Sequence, residues 1–381
     1  MALQIGSWVQ TIGMGWLVLH DLGGSATSLG IVALVRGASL VLLSPVGGYL
    51  ADRVERRRQL VIYTTTSAAI AASLAALIMT DAITLWMVYL AAMAAGLVEA
   101  LAGPIRMSLV YHSVPGEDLT NAVALNALGG NAMRVIGPAI GGALIGTVGT
   151  QGAFQLQAVC LGVSVVLTWL LVPSRADHAE DRPGMFQSIA GGIKYIVRDR
   201  LMLVIVLMAF LPSIVVYPYV TFLPVFARDV LHSDQSAYGY LAAAVGVGSL
   251  IGGAFVAVFA GRGKTGQFMV WTCLVYSASI GAFALSRSLL LSVAILALAG
   301  VFHSIYSALN SSLMQLKADE AYRGQVMSLQ TMMWGTTPFA ALVMGRMIDD
   351  WGAPHVVGAW MAAAVVLTLA VGLLSNELRK V

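Results

Sequence analysis

Charged side chains stand inside the long apolar stretches of this sequence at only a few positions. Arg36, Glu99 and Arg134 are each surrounded by apolar residues, and Arg106 closes the stretch that holds Glu99. An ionised group is costly to place in apolar surroundings, so such residues are functional candidates by default. Glu99 and Arg106 are seven residues apart and therefore share one face of a helix. A carboxylate beside an arginine can bind and release a proton when its access to water alternates.

Glu99 is therefore the leading candidate for proton coupling, with Arg36 or Arg134 as its charge partner or as the contact for an anionic ligand. The alternative is a static ion pair that only stabilises the fold. His303 is a second titratable candidate, because histidine changes its charge near neutral pH. A histidine that is merely hydrogen-bonded to a neighbour is the alternative there.

Three prolines, Pro212, Pro218 and Pro224, recur every six residues within one apolar stretch. Proline has no N–H, so each one weakens the helical hydrogen-bond ladder and favours a bend that could act as a gate. Aromatic residues between them could stack on a planar ligand, and two residues of the first stretch could face the same cavity. Lipid-facing or interfacial positions are the alternative for the aromatic residues. The predicted cavity residues are Trp8, Gln10, Tyr217, Tyr219, Phe222 and His303.

The composition identifies the medium in which these residues lie. Hydrophobic residues make up 59% of the 381 residues and charged residues only 10%, with a net charge of +3. The mean hydropathy is +0.84. A soluble protein of this size could not bury so much apolar surface in one core. We therefore predict an all-α polytopic membrane protein.

Twelve apolar stretches have the length that a bilayer-spanning helix needs, which is about 20 residues. The longest polar connection, 174–200, separates an N-terminal six-helix bundle, 1–173, from a C-terminal six-helix bundle, 201–381. The first stretch begins at Met1 and has neither a basic leader nor a clear cleavage site, so it is predicted to be a spanning helix and not a cleavable signal peptide. The predicted spans are 1–20, 28–52, 59–79, 84–106, 119–148, 153–173, 201–226, 237–260, 267–286, 289–315, 324–346 and 355–375.

Basic residues are distributed unevenly between the two sets of connections. One set, which includes 174–200 and the C-terminal end, carries 16 lysines and arginines, and the other carries only Arg228, Arg287 and Arg346. Basic loops stay in the cytoplasm. Both termini and the central connection are therefore predicted to be cytoplasmic.

The two halves of the sequence resemble each other at an offset of about 200 to 205 residues. Gly47-Gly48 corresponds to Gly252-Gly253, each before a basic turn, and Pro138 corresponds to Pro338. Parallel repeats related by an axis along the membrane normal are a transporter architecture, with the binding site between the halves. The repeats predict two pseudo-twofold-related bundles.

A basic motif follows the second apolar stretch. The run Gly48-Tyr-Leu-Ala-Asp52-Arg53-Val-Glu55-Arg56-Arg57-Arg58 resembles the loop 2–3 signature of the major facilitator superfamily, although Glu55 stands where that signature prefers glycine. The Asp52 carboxylate could lie against the positive N-terminal end of a helix near Arg323 and hold the cytoplasmic side shut. The arginines could meet acids such as Glu117 and Asp118, or they could only anchor the topology. The predicted gate residues are Gly48, Asp52, Arg53, Arg56 and Arg57.

A second motif, Met133-Arg134-Val-Ile-Gly137-Pro138-Ala-Ile-Gly141-Gly142, resembles the helix 5 motif of exporters in the same superfamily. Its small residues let a helix approach a neighbour closely, and Pro138 lets it bend; ordinary helix packing is the alternative. Shorter motifs are similar to the enterobactin-exporter and macrolide-efflux branch. They include Gly6-Ser-Trp8-Val-Gln10, Pro104-Ile-Arg106 and Arg323-Gly-Gln-Val-Met-Ser.

The resemblance implies a secondary transporter of a bacterial inner membrane that exports small amphipathic molecules of the drug or siderophore class. Proton antiport is the expected coupling. The sequence contains no phosphate-binding loop and no metal-ligand motif, and Cys160 and Cys273 are expected to serve packing, so no cofactor is expected. The expected partners are the lipid bilayer and a small-molecule substrate, with no nucleic acid, for a monomeric protein. A proton-coupled uptake symporter of the same fold, and an intramembrane enzyme using Glu99 and His303, are the alternatives.

Overall fold

The chain divides by its internal contacts into two compact units. The first unit is formed by 1–182 and 233–243, and the second by 183–232 and 244–381. The computed structural model describes residues 2–51, 55–112, 118–170, 185–259, 265–375 and Leu378. In these ranges the regular structure is helical, which satisfies the backbone hydrogen bonds within each segment, as a lipid environment requires.

The first unit contains six helices that coincide with the first six predicted spans. Helix α2 packs on α4, α3 packs on α4 and α6, and α1 packs on α5 and α6. The helices are α1 (Ala2–Trp16, continued by a π turn, Leu17–Asp21), α2 (Ala26–Ala51), α3 (Arg56–Met79), α4 (Leu85–His112), α5 (Leu119–Val148) and α6 (Thr150–Trp169).

The second unit begins with α7 (Met185–Arg198), a helix within the 174–200 connection that the sequence analysis did not predict. The seventh span is irregular. It consists of α8 (Arg200–Leu211), a π turn (Pro212–Val216), a 3-10 helix (Tyr217–Phe222), a single α turn, α9 (Leu223–Val225), and a π turn (Phe226–Val230). The later helices are α10 (Gln235–Phe259), α11 (Thr265–Leu285), α12 (Leu289–Lys317), α13 (Glu320–Trp334), α14 (Thr337–Trp351) and α15 (Ala353–Leu374). The first nine residues of α10 belong to the first unit.

Nine helical segments among the described residues are long and apolar enough to cross a membrane. The chain reaches twelve spans when α1, α5 and the broken pair α13–α14 are added. Large apolar side chains on these helices are exposed, for example Leu42 at 74% and Val258 at 68%, because lipid rather than water surrounds them. The predicted twelve-helix membrane fold is confirmed.

The turn between the last two spans of each half uses the same backbone geometry. Gly149 joins α5 to α6 with φ of +87°, and Gly352 joins α14 to α15 with φ of +81°. Only glycine adopts this region without strain. The two glycines are 203 residues apart, which agrees with the repeat seen in the sequence.

Glycines let α10 and α12 pack with their backbones in contact. A Cβ added to Gly248 would overlap the carbonyl oxygen of Ala297, and a Cβ added to Gly252 would overlap that of Val301. Gly300 of α12 meets the backbone of α10 in the same way. Small residues at four-residue spacing are a common means of close helix packing in membranes.

Hydroxyl groups from neighbouring helices donate to two carbonyls of the seventh span, one left free by a proline and one left free by the π turn. Pro212 has no N–H to donate to the carbonyl of Met208, four residues earlier, and the hydroxyl of Tyr306 in α12 donates to that oxygen instead. The N–H of Tyr217 is diverted to the Pro212 carbonyl. The Ser213 carbonyl therefore accepts from the hydroxyl of Thr337 in α14, at 2.9 Å.

Replacing Tyr306 with phenylalanine is expected to destabilise the protein by about 1 kcal/mol, because the Met208 carbonyl then lacks a donor in an apolar core. Thermal unfolding in detergent measures this loss. Tyr240, which is 56% exposed in α10, provides the matched control, and Y240F is expected to be neutral.

A double-mutant cycle with P212A tests the cause of the Tyr306 effect. Alanine at 212 restores an N–H that can bond to the Met208 carbonyl, so Y306F is expected to cost less in that background. Equal costs in the two backgrounds would contradict the assignment of Tyr306 as the substitute donor.

Candidate functional site

A small polar pocket of about 60 Å³ lies among α1, α2, α3, α4 and α6 in the first unit. Arg36 donates from Nη2 to Glu99 Oε2 at 2.8 Å. Arg106, two turns further along α4, lines the same pocket. The side chains of Arg36 and Glu99 are 31% and 39% exposed, so the ion pair faces an accessible space.

Glycine at position 96 brings the two charged residues together. A Cβ on Gly96 would overlap the carbonyl oxygen of Arg36, so glycine is what allows α4 to contact the α2 backbone at this level. Glu99 lies one turn beyond Gly96 and therefore on the face of α4 that meets α2. The close approach of the two helices is the structural cause of the short ion pair.

Neutral polar side chains form the rest of this pocket. Gln10 and Gln157, which are 7% and 4% exposed, line it together with Tyr63 and Thr64. The Oε1 atom of Gln157 has no hydrogen-bond partner among the described residues. The pocket thus offers two cations, one anion and a buried acceptor, which can bind a ligand that carries both a negative group and a hydrogen-bond donor.

Arg134 lies elsewhere in the first unit. Its guanidinium carbon is 5.9 Å from the centre of the Trp8 ring, within the range of a cation–π contact. Neither residue is among those that line the Glu99 pocket. The structure thus brings Glu99 together with Arg36, Arg106 and Gln10, but not with Arg134 or Trp8.

The helix 5 motif presents glycines to two different neighbours. Gly137 and Gly141 pack against α1, where an added Cβ on Gly137 would overlap Trp8. Gly142 faces the start of α10, where an added Cβ would lie 2.8 Å from the Cα of Gly239. Pro138 lies inside α5 between these contacts, and its carbonyl also faces Gly239. The motif therefore allows close approach on both sides of α5.

The basic motif after α2 is described only in part. Gly48 lies in α2, whereas Asp52 and Arg53 lie outside the described residues, as does Glu117. Arg56 is 4% exposed at the start of α3. Arg57 donates to the Trp169 carbonyl and stacks over its ring, with 5.3 Å between the guanidinium carbon and the ring centre. Arg57 thus links α3 to the end of α6.

A second pocket, of about 150 Å³, lies in the second unit beside the irregular seventh span. Tyr217 and Tyr276 hold His303 between them, with ring centres 5.7 Å and 5.1 Å from the imidazole. Asn310 and Gln330 supply amide groups to the lining. The pocket can accept a flat or hydroxylated group.

Two predicted cavity residues do not line this pocket. Tyr219 is 1% exposed and Phe222 is fully buried. The ring centres of Tyr219 and Phe283 are 6.5 Å apart. The change from π turn to 3-10 helix directs them into the core of the unit. Both residues pack inside the second unit and line neither this pocket nor the Glu99 pocket.

Several lining residues were not predicted from the sequence. Tyr63, Gln157, Tyr276, Asn310 and Gln330 are polar residues within apolar spans. Charges, histidines and the proline-rich segment served as signals, and among the amide side chains only Gln10 was predicted. Amide side chains within a span were the available signal, because they require partners there.

A family profile described as the Major Facilitator Superfamily matches residues 1–340. The chain belongs to the Major Facilitator Superfamily. Proteins of this superfamily similar to the chain are transporters, so the protein is a multi-pass membrane transporter and not an intramembrane enzyme.

Two curated relatives within the Major Facilitator Superfamily handle siderophores. The staphyloferrin A transporter of Staphylococcus aureus is 24% identical over 381 residues, covering 99% of this chain and 94% of the relative. The enterobactin exporter EntS of Shigella boydii is 26% identical over 313 residues, covering 81% of this chain and 73% of the relative.

Solved structures of transporters share the fold. The nucleoside transporter NupG has a TM-score of 0.78 at 15% identity, covering 98% of this chain and 99% of that one. An inward-facing bacterial homologue of the lysosomal transporter Spinster has a TM-score of 0.75 at 14% identity, covering 100% and 96%. These likenesses concern the fold alone.

Proposed function

We propose that the protein is a proton-coupled antiporter that exports small amphipathic molecules of the siderophore class. In this proposal it lies in a bacterial inner membrane as a monomer, with both termini in the cytoplasm, and the proton gradient replaces any bound cofactor. The observation that carries the proposal is the Arg36–Glu99 ion pair in a pocket that also contains Arg106. The names of the two siderophore-handling relatives support the substrate class.

Antiport requires that proton and substrate compete for one group. The ionised Glu99 carboxylate has two oxygens, and Arg36 donates to Oε2. A hydroxyl or ammonium group of the substrate can donate to this carboxylate, while an anionic group of the same substrate pairs with Arg106. Protonation of Glu99 removes its negative charge and makes it a weaker acceptor. The substrate is then released, which couples release to proton entry.

The charges of the pocket also favour a second candidate, uptake by proton symport. If the substrate offers only anionic groups, protonation of Glu99 frees Arg36 to bind it. Proton and substrate then bind together rather than in competition. The sign of the pH effect on substrate binding therefore separates export by antiport from uptake by symport.

Binding measured against pH tests the proposal. The purified protein is titrated with enterobactin, staphyloferrin A and a macrolide between about pH 8 and about pH 6. Antiport predicts weaker binding of the transported compound at acid pH, and symport predicts stronger binding. Binding of neither siderophore, or binding that does not change with pH, would refute the proposal.

Direction-resolved transport completes this test. Everted membrane vesicles are energised to be acidic inside, and uptake of the bound compound is followed with and without a protonophore. An exporter is expected to accumulate the compound in these vesicles, and the protonophore is expected to abolish accumulation. Accumulation only in right-side-out vesicles would establish uptake instead.

A further inference from the structure

Helix α7 carries an exposed apolar stripe beside an exposed basic stripe. Ile193 and Val197, four residues apart, are 49% and 64% exposed. Lys194 follows Ile193 and Arg198 follows Val197, and both basic side chains are exposed. Residues four apart lie on one face of a helix, so the two stripes run side by side along α7.

The opposite face of α7 is fixed to the second unit. Ile196 is buried, and the Tyr195 ring stacks on that of Tyr322 in α13, with ring centres 4.6 Å apart. The Tyr195 hydroxyl accepts from the backbone N–H of Asp319 at 3.1 Å. The apolar and basic stripes therefore have a fixed direction relative to the spans.

An open cleft of about 570 Å³ lies where α7 meets the start of α8. Its charged lining consists of Lys194, Arg198 and Arg200 against a single acid, Asp199. The Asp199 carboxylate accepts from the Met202 N–H at 3.0 Å and caps α8. This hydrogen bond offsets part of the negative charge of the carboxylate. The cleft thus has an excess of positive charge.

The position of the cleft is at the surface of the bilayer. The apolar span begins immediately after Arg200, so the cleft lies where water gives way to hydrocarbon. A water-exposed helix would gain nothing from Ile193 and Val197, whereas acyl chains bury them and phosphate groups meet the adjacent cations. This charge complementarity identifies the ligand as a lipid with an anionic headgroup.

We propose that α7 and the first residue of α8 form a binding site for an anionic phospholipid, with the headgroup phosphate at Lys194, Arg198 and Arg200 and the acyl chains against Ile193 and Val197. Because Tyr195 of α7 and Tyr322 of α13 both line the cleft, a bound lipid contacts both helices. The site is independent of the Glu99 pocket and of the direction of transport.

Native mass spectrometry of the full chain tests this site. The protein is titrated with phosphatidylglycerol and, separately, with phosphatidylcholine. K194Q/R198Q is expected to weaken phosphatidylglycerol binding on the order of ten-fold, since each basic side chain near a lipid surface contributes. R287Q removes an exposed arginine from the opposite set of connections and is expected to leave binding unchanged, and K194R/R198K is expected to retain it.

Two further arms separate the lipid from other occupants. I193S/V197S keeps the charge and is expected to weaken phosphatidylglycerol binding, whereas added inorganic phosphate is not expected to displace the lipid. Equal affinity for phosphatidylcholine, displacement by inorganic phosphate, or unchanged binding in K194Q/R198Q would each overturn the proposal. A matching elution profile of the variants in size-exclusion chromatography excludes misfolding as the cause of lost binding.

Discussion

Replacing Glu99 with glutamine is expected to abolish proton-driven accumulation of substrate and to make substrate binding weak and independent of pH, because glutamine resembles the protonated carboxyl group. Glutamine fills the same space and can still accept from Arg36, but it does not titrate. With one proton exchanged for each substrate molecule, a pH difference of about two units supports roughly hundred-fold accumulation. E99Q should reduce this ratio to about one. Transport in proteoliposomes with an imposed pH gradient measures it.

Asp350 provides the control for this substitution. Its carboxylate is exposed and lies 3.4 Å from Arg346, one turn away on the same helix. D350N is expected to transport as the native protein does. The opposite pattern for E99Q is intact coupling with a lower melting temperature. It would identify the Arg36–Glu99 contact as a static ion pair, since only the cost of giving Arg36 a neutral partner would be seen.

Replacing Gly252 with leucine is expected to prevent stable packing of α10 on α12. The atoms in the way belong to the backbone of Val301, which cannot move aside as a flexible side chain can. Overpacking of a core costs about 1 to 3 kcal/mol when side chains can adjust, so the cost here should exceed that range. The measurement is the yield of monodisperse protein and its melting temperature in detergent.

The neighbouring glycine is the matched control for Gly252. The nearest atom to a Cβ on Gly253 is the Ser304 hydroxyl, at an ordinary contact distance of 3.6 Å. G253L is therefore expected to give nearly native yield and stability. If G253L were as unstable as G252L, the loss of stability would come from leucine at this level of α10 in general and not from the contact with α12.

Most of the fold could be predicted from the sequence because the bilayer sets the length and polarity of each span. The fifth span, 119–148, has the same bounds as α5, Leu119–Val148. Helix α7 was not predicted, because it is 14 residues long and its apolar residues occupy one stripe rather than a continuous run. The break in the eleventh span at Gly335 and Thr336 was not predicted either, because the pattern of apolar residues does not mark it.

The candidate site was predicted only where charge marks it. Glu99, Arg36 and Arg106 stood out because an ion inside an apolar run has few explanations, and the structure places all three around one pocket. Tyr219 was predicted to line a cavity, whereas its side chain is buried near the ring of Phe283. Sequence spacing gives the face of a residue only in a regular helix, and the seventh span changes its helical period near Tyr217.

The hydrogen bonds that hold the seventh span in shape originate outside it. The donors to its free carbonyls belong to Tyr306 and Thr337, on two other helices. Selection can therefore alter the stiffness of this span through single substitutions in α12 or α14, without touching its own prolines. Related proteins can in this way evolve seventh spans of different stiffness while the sequence of that span stays the same.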